Sequence, residues 1–332
     1  MRSKKNTETI TLDDGVYHEK TFDTYIDMAK HAVDWTIFCS YQLQPNAING
    51  TYKILSLPSL QIAYTDASGG VMYDYVAPEG CINISIMHYI SNKACIDEMK
   101  LKTNMIAIMD DQKIYNFMYN AQIHIFDISI KKSAHPELIK KLTKVINSYY
   151  IDKDKEIALM LKRILNKFNN KIPLNIETSK EIESKVIKSI LNLLETQEAQ
   201  TPHFTNSELT TLKIKNKIFK HVDGNMSIQD LSKKYSINER SLQNGFKSLF
   251  DLKPKQFMRL LKLNLVHHEL LKSSREDNTV QKVARKWGFM HMGRFSNFYT
   301  ELFLENPSIT LKKINPLIDG MNEHCVERKE EI

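Results

Sequence analysis

SIQDLSKKYSINERSLQNGFKSLFDLKP (residues 227–254) and TVQKVARKWGFMHMGRFSNFYTELFLENP (residues 279–307) state one pattern twice. In the first, Ile228, Leu231 and Tyr235 stand at helical spacing; after a short break come Leu242, Phe246, Leu249 and Phe250, and then Pro254. In the second, Val280, Val283 and Trp287 precede Gly288, and Phe295, Tyr299, Leu302 and Phe303 lead to Pro307. The offset is 52 residues from Leu231 to Val283 and 53 from Pro254 to Pro307, so the second copy holds one inserted turn residue. Two short helices joined tightly, and written twice, predict helix-turn-helix units over 227–250 and 279–303.

Local chemistry agrees. Ser227 and Thr279 are N-cap residue types placed just before apolar-periodic runs, with oxygens able to accept from free backbone amides. Asn238 can cap the second helix of the first unit, and Gly288 allows the left-handed backbone of a sharp turn. In each second helix the apolar positions i, i+4, i+7 and i+8 form one stripe to bury. The opposite stripe carries Arg240, Gln243, Asn244 and Lys247 in the first unit, and His291, Met292, Arg294, Ser296 and Asn297 in the second. Such side chains can reach base edges or phosphates in a major groove. Either stripe alone is also what a merely solvated helix face looks like; the duplication favours the reading role.

Charge is distributed to match. Residues 205–313 hold 20 Lys and Arg against 10 Asp and Glu, leaving 26 against 29 in the rest of the chain. A basic excess confined to the segment with the two units suits phosphate attraction and counterion release.

The same segment resembles the AraC/XylS family of bacterial transcription regulators. The resemblance spans about 205–313 and rests on Leu242-Gln243-Asn244-Gly245-Phe246-Lys247, Pro254-Lys255-Gln256-Phe257, Trp287-Gly288-Phe289 and Phe295-Ser296-Asn297-Phe298-Tyr299, ending at Pro307. It implies two helix-turn-helix units joined by a linker helix, here about 254–273, with Phe257, Leu261, Leu265 and Leu271 on its apolar stripe. It implies base-facing positions at Arg240, Gln243 and Asn244, and at Met292, Gly293, Arg294, Ser296 and Asn297. The second set is chemically thinner, since Gly293 has no side chain and Met292 offers only apolar contact, so the first unit is expected to dominate sequence reading. The chain departs from the family at Asp251 and Leu304, where glycine is usual, and a different backbone path is expected there. Tyr299 replaces the usual phenylalanine and Lys262 a frequent arginine, neither of which threatens the fold.

The remaining residues give the rest of a multidomain α+β chain. At 332 residues there is length for two cores. Segments 36–43, 51–57, 60–65, 82–89, 105–109 and 123–130 are rich in β-branched and aromatic residues, with Pro45, Asn49-Gly50, Pro58 and Ser68-Gly69-Gly70 as punctuation. A small barrel or sandwich is expected, preceded by a helix from Phe22 to Val33 packing through Phe22, Ile26 and Ala29. Helices are expected at 136–150, 154–169 and 178–196. The arrangement is similar to the family's cupin-like sensor half, which implies a β-rich barrel that binds a small effector and adjoining helices that dimerise. The expected division is therefore 1–150 sensor, 151–204 helical linker and dimerisation segment, 205–313 DNA-binding domain and 314–332 charged tail. Trp35, Tyr41, Tyr64 and Tyr73 are aromatic candidates for ligand contact, although an aromatic on a strand is usually core.

No apolar run reaches membrane-spanning length, and Met1-Arg-Ser-Lys-Lys leads into polar sequence, so a cytoplasmic, nucleoid-associated protein is expected. Cys39, Cys81, Cys95 and Cys325 lack metal-ligand spacing and are expected to be reduced. His88 and His124 stand alone on expected strands, and no catalytic signature, cofactor site or metal site is read. The expected function is a sequence-specific, DNA-binding transcription regulator rather than an enzyme. By resemblance it is an activator that touches RNA polymerase, responds to a small effector and forms a homodimer. Its two units are expected about 34 Å apart on one face of DNA. Two alternatives remain: a DNA-repair alkyl-transfer protein, which needs a clustered cysteine zinc site, and a sequence-neutral architectural binder.

Overall fold

The computed structural model describes residues 17–24, 27–29, 32, 34–45, 48–168, 174–220, 227–273 and 278–313. The first part is built on two long strands, β4 (Leu60–Val76) and β9 (Tyr115–Lys131), paired antiparallel from Leu60 opposite Ile130 to Tyr75 opposite Tyr115. Each carries different neighbours on its two halves. Residues 61–68 of β4 pair with β3 (Asn49–Ser56), which pairs with β1 (Tyr17–Phe22), and residues 71–76 pair with β2 (Thr36–Gln42). Residues 123–131 of β9 pair with β5 (Cys81–Ile90), and 117–120 with β6 (Lys93–Ile96), itself paired with β7 (Met99–Lys100). Beyond β5 lie β8 (Met105–Asp110) and β10 (Tyr149–Ile151).

The main path is β1-β3-β4-β9-β5-β8-β10, and among the described residues β1 and β10 do not pair. The expected barrel is therefore an open, folded-over sheet. Three further expectations change. Ser68-Gly69-Gly70 is not a break, since all three sit inside β4 opposite Gln122, Ala121 and Asn120. Phe22 closes β1 rather than opening a helix; residues 27–29 are helical, while Ile26 and Val33 lie outside the described residues. The run 136–150 breaks after Thr143, and Tyr149 and Tyr150 join the sheet as part of β10.

Side-chain alternation sorts the sheet into faces. Ile82, Ile84 and Ile86 of β5, Ile106 and Ile108 of β8, and Phe126, Ile128 and Ile130 of β9 share one outer face. Helices α1 (Pro136–Thr143), α2 (Glu156–Leu165) and α3 (Ile176–Thr196) cover it through Leu138, Leu142, Leu161, Val186 and Ile190. Asp152 caps α2 by accepting from the amides of Ile157 at 3.1 Å and Ala158 at 3.0 Å. The odd-numbered residues of β9 point inward instead, with Tyr115, Phe117, Tyr119, Ile123 and Ile125 in a separate inner cluster.

The helical part runs α4 (Asn206–Lys220), α5 (Ile228–Lys234), α6 (Glu239–Phe250), α7 (Pro254–Lys272), α8 (Val280–Lys286), α9 (Met292–Phe303) and α10 (Pro307–Thr310). Its core includes Leu231, Leu242, Phe246, Phe257, Leu261, Val283, Phe295 and Tyr299. Tyr41 and Leu43 from the β2 end, Met72, Cys95 and Met118 belong to the same buried cluster, so the sheet and the helices meet through an apolar seam. The tail 314–332, with Cys325, lies outside the described residues.

Candidate nucleic-acid interface

The duplication is present in the backbone hydrogen bonds of the two turns. In α5, the Ser227 hydroxyl accepts from the Asp230 amide at 3.1 Å and the Asp230 carboxylate accepts from the Ser227 amide at 3.3 Å, a capping box. In α8, Thr279 accepts from the Lys282 amide at 3.2 Å. The turns then match bond for bond at an offset of 52. Ser236 donates to the Lys233 carbonyl as Gly288 does to Arg285, and Ile237 donates to Ser232 as Phe289 does to Ala284. Both pivots are left-handed, Ser236 at φ 51° and Gly288 at φ 85°. From there the offset is 53: Leu242 donates to Asn238 as Phe295 does to His291. The inserted residue is thus Met290, which is 71% exposed in the turn.

Both second helices end alike. Asp251 and Leu304 are left-handed, each with φ 56°, and donate to Lys247 and Thr300. The expected different backbone path is not taken; these residues keep the geometry that glycine favours. For Leu304, 63% exposed, the conformation carries strain with little compensating burial. Left-handed backbone costs a non-glycine residue about 1–2 kcal/mol, and glycine gives back about 0.5–1 kcal/mol through its freer unfolded chain. Leu304→Gly is therefore expected to stabilise the protein by about 0.5–1 kcal/mol in denaturant unfolding; a lower midpoint would show that the Leu304 side chain contributes more than its backbone costs.

The exposed stripes lie where the spacing puts them. Arg240, Gln243, Asn244 and Lys247 are all exposed on α6, opposite buried Leu242, Gly245, Phe246, Leu249 and Phe250. Asn238 caps the helix by accepting from the Ser241 amide at 2.7 Å, leaving Arg240 in its first turn. Lys247 pairs with Asp251, one turn further along the helix. Gly245 is needed for close approach, since a Cβ there would lie 2.0 Å from Thr211 Oγ1 on α4. In the second unit His291, Gly293, Arg294 and Asn297 are exposed, while Met292 and Ser296 are half-buried. His291 sits at the N-cap of α9 without a side-chain cap bond.

Supporting contacts hold the units to the linker helix α7. The Arg259 guanidinium lies 3.9 Å from the centre of the Phe298 ring on α9. Glu269 accepts from Trp287 Nε1 at 2.8 Å and pairs with Lys286 at 2.9 Å, fixing the second turn. His267 and Tyr299 are 2.6 Å apart, and Tyr299 donates to Thr310 at 2.8 Å.

Three elements that bear on the site were not read from the sequence. The first is α4, whose Glu208 accepts from Lys100 of β7, Ser248 of α6 at 2.9 Å and the Thr205 amide at 3.1 Å. Burial acts to raise the Glu208 pKa, but these donors outweigh it and hold it at about 2. The second is Asn264 on α7, fully buried, which accepts from the Gln42 amide at 2.7 Å and donates to the Gln42 carbonyl at 2.8 Å. The third is Gln42 itself, whose Nε2 donates to the Leu302 carbonyl on α9 at 2.7 Å. Asn264 had a legible signal, a lone amide among Leu260, Leu261, Leu263 and Val266. Gln42 had none.

Residues 231–313 match the family described as a helix-turn-helix domain. They form a helix-turn-helix domain of the AraC type. The XylDLEGF operon transcriptional activator of Pseudomonas putida is 33% identical over 89 residues, 27% of this chain and 28% of that one. The "Probable thc operon regulatory protein" of Rhodococcus erythropolis is 26% identical over 94 residues, 28% of each chain. The chain thus matches less than a third of the length of these relatives. Among solved structures, the AraC-like transcriptional activator CuxR aligns over 72% of this chain and 86% of its own, at 11% identity and a TM-score of 0.36.

Cys81 and Cys95 are free and buried, and burial pushes both thiols up to about 11, away from nucleophilic thiolate. His124 Nδ1 lies 2.6 Å from the Tyr64 hydroxyl, and burial lowers the His88 pKa. Among the described residues no helix is long and apolar enough to cross a membrane.

Proposed function

We propose that this chain is a sequence-specific, DNA-binding transcription regulator, acting in the cytoplasm without enzymatic activity of its own. The observation that carries the reading is the hydrogen-bond frame repeated at offsets of 52 and 53, each copy presenting an exposed polar helix stripe. The divisions at 150, 204 and 313 follow from this reading, with the β-rich part as a sensor for a small effector and α2 and α3 as the dimerisation segment. Arg240, Gln243, Asn244 and Lys247 read or anchor one groove segment, and His291, Met292, Gly293, Arg294, Ser296 and Asn297 the next. The expected product of DNA binding is activation through a contact with RNA polymerase; the similar Pseudomonas putida protein is a transcriptional activator of the XylDLEGF operon.

Selection of bound sequences from a random DNA pool at physiological salt tests the reading. Two enriched half-elements about one helical turn apart are expected; recovery of an unenriched pool at equal affinity would establish an architectural binder instead. On the selected site, Arg240→Ala is expected to cost about 1–3 kcal/mol and to relax preference at one base pair, because a guanidinium can make two bonds to guanine. An equal loss on every sequence would move Arg240 to the phosphate set.

A further inference from the structure

The inner face of the folded sheet lines a cavity between Ala32, Trp35 and Ile37, at and just before the start of β2, and the strands β3, β4, β5, β6 and β9. Its volume is about 60 Å³. At roughly 10–15 Å³ per water, it has room for on the order of five waters, or a ligand of fewer than about ten non-hydrogen atoms. Most of the wall is apolar and aromatic, including Trp35, Tyr52, Tyr73, Tyr75 and Phe117. Pairs of these rings are in contact, Trp35 with Tyr75 at 5.4 Å and Tyr73 with Phe117 at 5.4 Å between centres.

One ionisable acid enters this wall. Asp127 follows the inward alternation of β9 and accepts from Asn83 at 3.1 Å and from Ser85, on neighbouring β5. Burial pushes its carboxyl above the usual range, against the pull of those two donors. Tyr52, Tyr73 and Tyr75 line the same cavity, and burial first, with the Asp127 charge adding, raises the pKa of each phenol. Among the described residues, no Lys, Arg or His lines the cavity. An anionic ligand would therefore meet a carboxyl with no counter-charge, whereas a cation would meet one acid and several electron-rich ring faces.

We propose that the cavity binds a small organic cation, an amine or quaternary ammonium of fewer than about ten non-hydrogen atoms, with Asp127 as its counter-charge and Trp35, Tyr73, Tyr75 and Phe117 as its aromatic wall. The inference rests on the sensor role of the β-rich part and supplies its ligand class. Binding exchanges the solvation of the cation for ring faces and a carboxylate already held by Asn83 and Ser85, so little reorganisation is needed.

Titration calorimetry on the full chain with phenethylammonium, choline, benzyl alcohol and benzoate tests it. At least one of the two cations is expected to bind, with benzyl alcohol and benzoate weaker by about tenfold or more. Asp127→Asn, which keeps the shape, is expected to weaken the cation about tenfold or more and to leave benzyl alcohol unchanged. Trp35→Leu, at the half-buried edge of the wall, is expected to weaken the cation severalfold with Asp127 intact. Equal or tighter binding of benzoate or benzyl alcohol, an unaffected Asp127→Asn variant, or no heat from either cation at millimolar concentration would each overturn the proposal. DNA selection in the absence of any probe is read separately. A chain that selects a site but ignores cations loses only the ligand class, and one that selects no site loses the regulatory reading.

Discussion

Asn264→Leu is expected to destabilise the full chain by about 2–6 kcal/mol in urea unfolding, although the substitution removes neither volume nor charge. The Asn264 amide meets the backbone of Gln42 as a neighbouring strand would, taking the amide proton at 2.7 Å and giving one to the carbonyl at 2.8 Å. Both the residue and its partner are buried, at 0% and 8% exposure, so water cannot replace either bond. Orphaning a buried backbone group costs about 1–3 kcal/mol, and leucine orphans two. Leucine also cannot repeat the bond from Asn264 to the Leu260 carbonyl, but that group keeps its place within the helix. A loss below about 0.5 kcal/mol would mean that the end of β2 is solvated in solution and that the seam between sheet and helices is open.

The position of that contact matters more than its strength. Gln42 is the last residue of β2, and its side chain continues to the Leu302 carbonyl near the end of α9. One residue of the sheet is thereby bonded both to the linker helix and to the second reading helix. Near the first unit, Lys100 and Ser248 meet on Glu208, and Asn92 reaches Asp251 at 3.4 Å. Both second helices are thus tied to the β-rich part, each near its C-terminal end. A change in the sheet that moved β2 relative to β7 would alter the placement of one reading helix against the other, the quantity that two successive groove segments are sensitive to.

How much of this was legible depended on whether the information was local. The helix-turn-helix frame could be read because its caps, pivots and apolar stripes are set within a few residues, and because the repeat supplied an internal control. Even the inserted residue was countable from the offsets, and the structure assigns it to Met290. The C-terminal pivots differ from the expectation: Asp251 and Leu304 stand where glycine is usual, yet both take the left-handed backbone, which aspartate tolerates and leucine does not. Strand content was legible from composition, but strand length was not. Ser68-Gly69-Gly70 has every local mark of a turn, and only pairing with β9 along its whole length keeps β4 extended through it. The reading stripes sat where periodicity put them. The seam did not announce itself, because a backbone contact between residues 222 positions apart leaves no trace at Gln42.

Acid should open that seam before it reaches the ordinary carboxylate range. His267 is buried on α7 between Tyr299 and a stacked Phe303 ring, and burial, with His268 and Lys313 adding, holds its pKa well below the usual histidine value. His268 faces β2, with the Tyr41 ring 5.8 Å away; burial first and Lys272 second push it down to about 4, against a bond to the Ser40 carbonyl that acts to raise it. Both folded values lie below the unfolded value of about 6.5, so the unfolded chain takes up protons first. Stability is therefore unaffected above about pH 7, falls as pH drops through 6.5, and levels off for His268 only below its folded value near 4. By pH 5 the loss from His268 alone is at most on the order of 2 kcal/mol, less the screening its half-buried ring receives from solvent, and His267 acts in the same direction. Urea unfolding at pH 7.5, 6.5, 5.5 and 5.0 measures the slope. His268→Gln should flatten it, since the amide does not take up a proton in this range, and an unchanged slope in that variant would assign the acid sensitivity to His267 and the second helix-turn-helix unit instead.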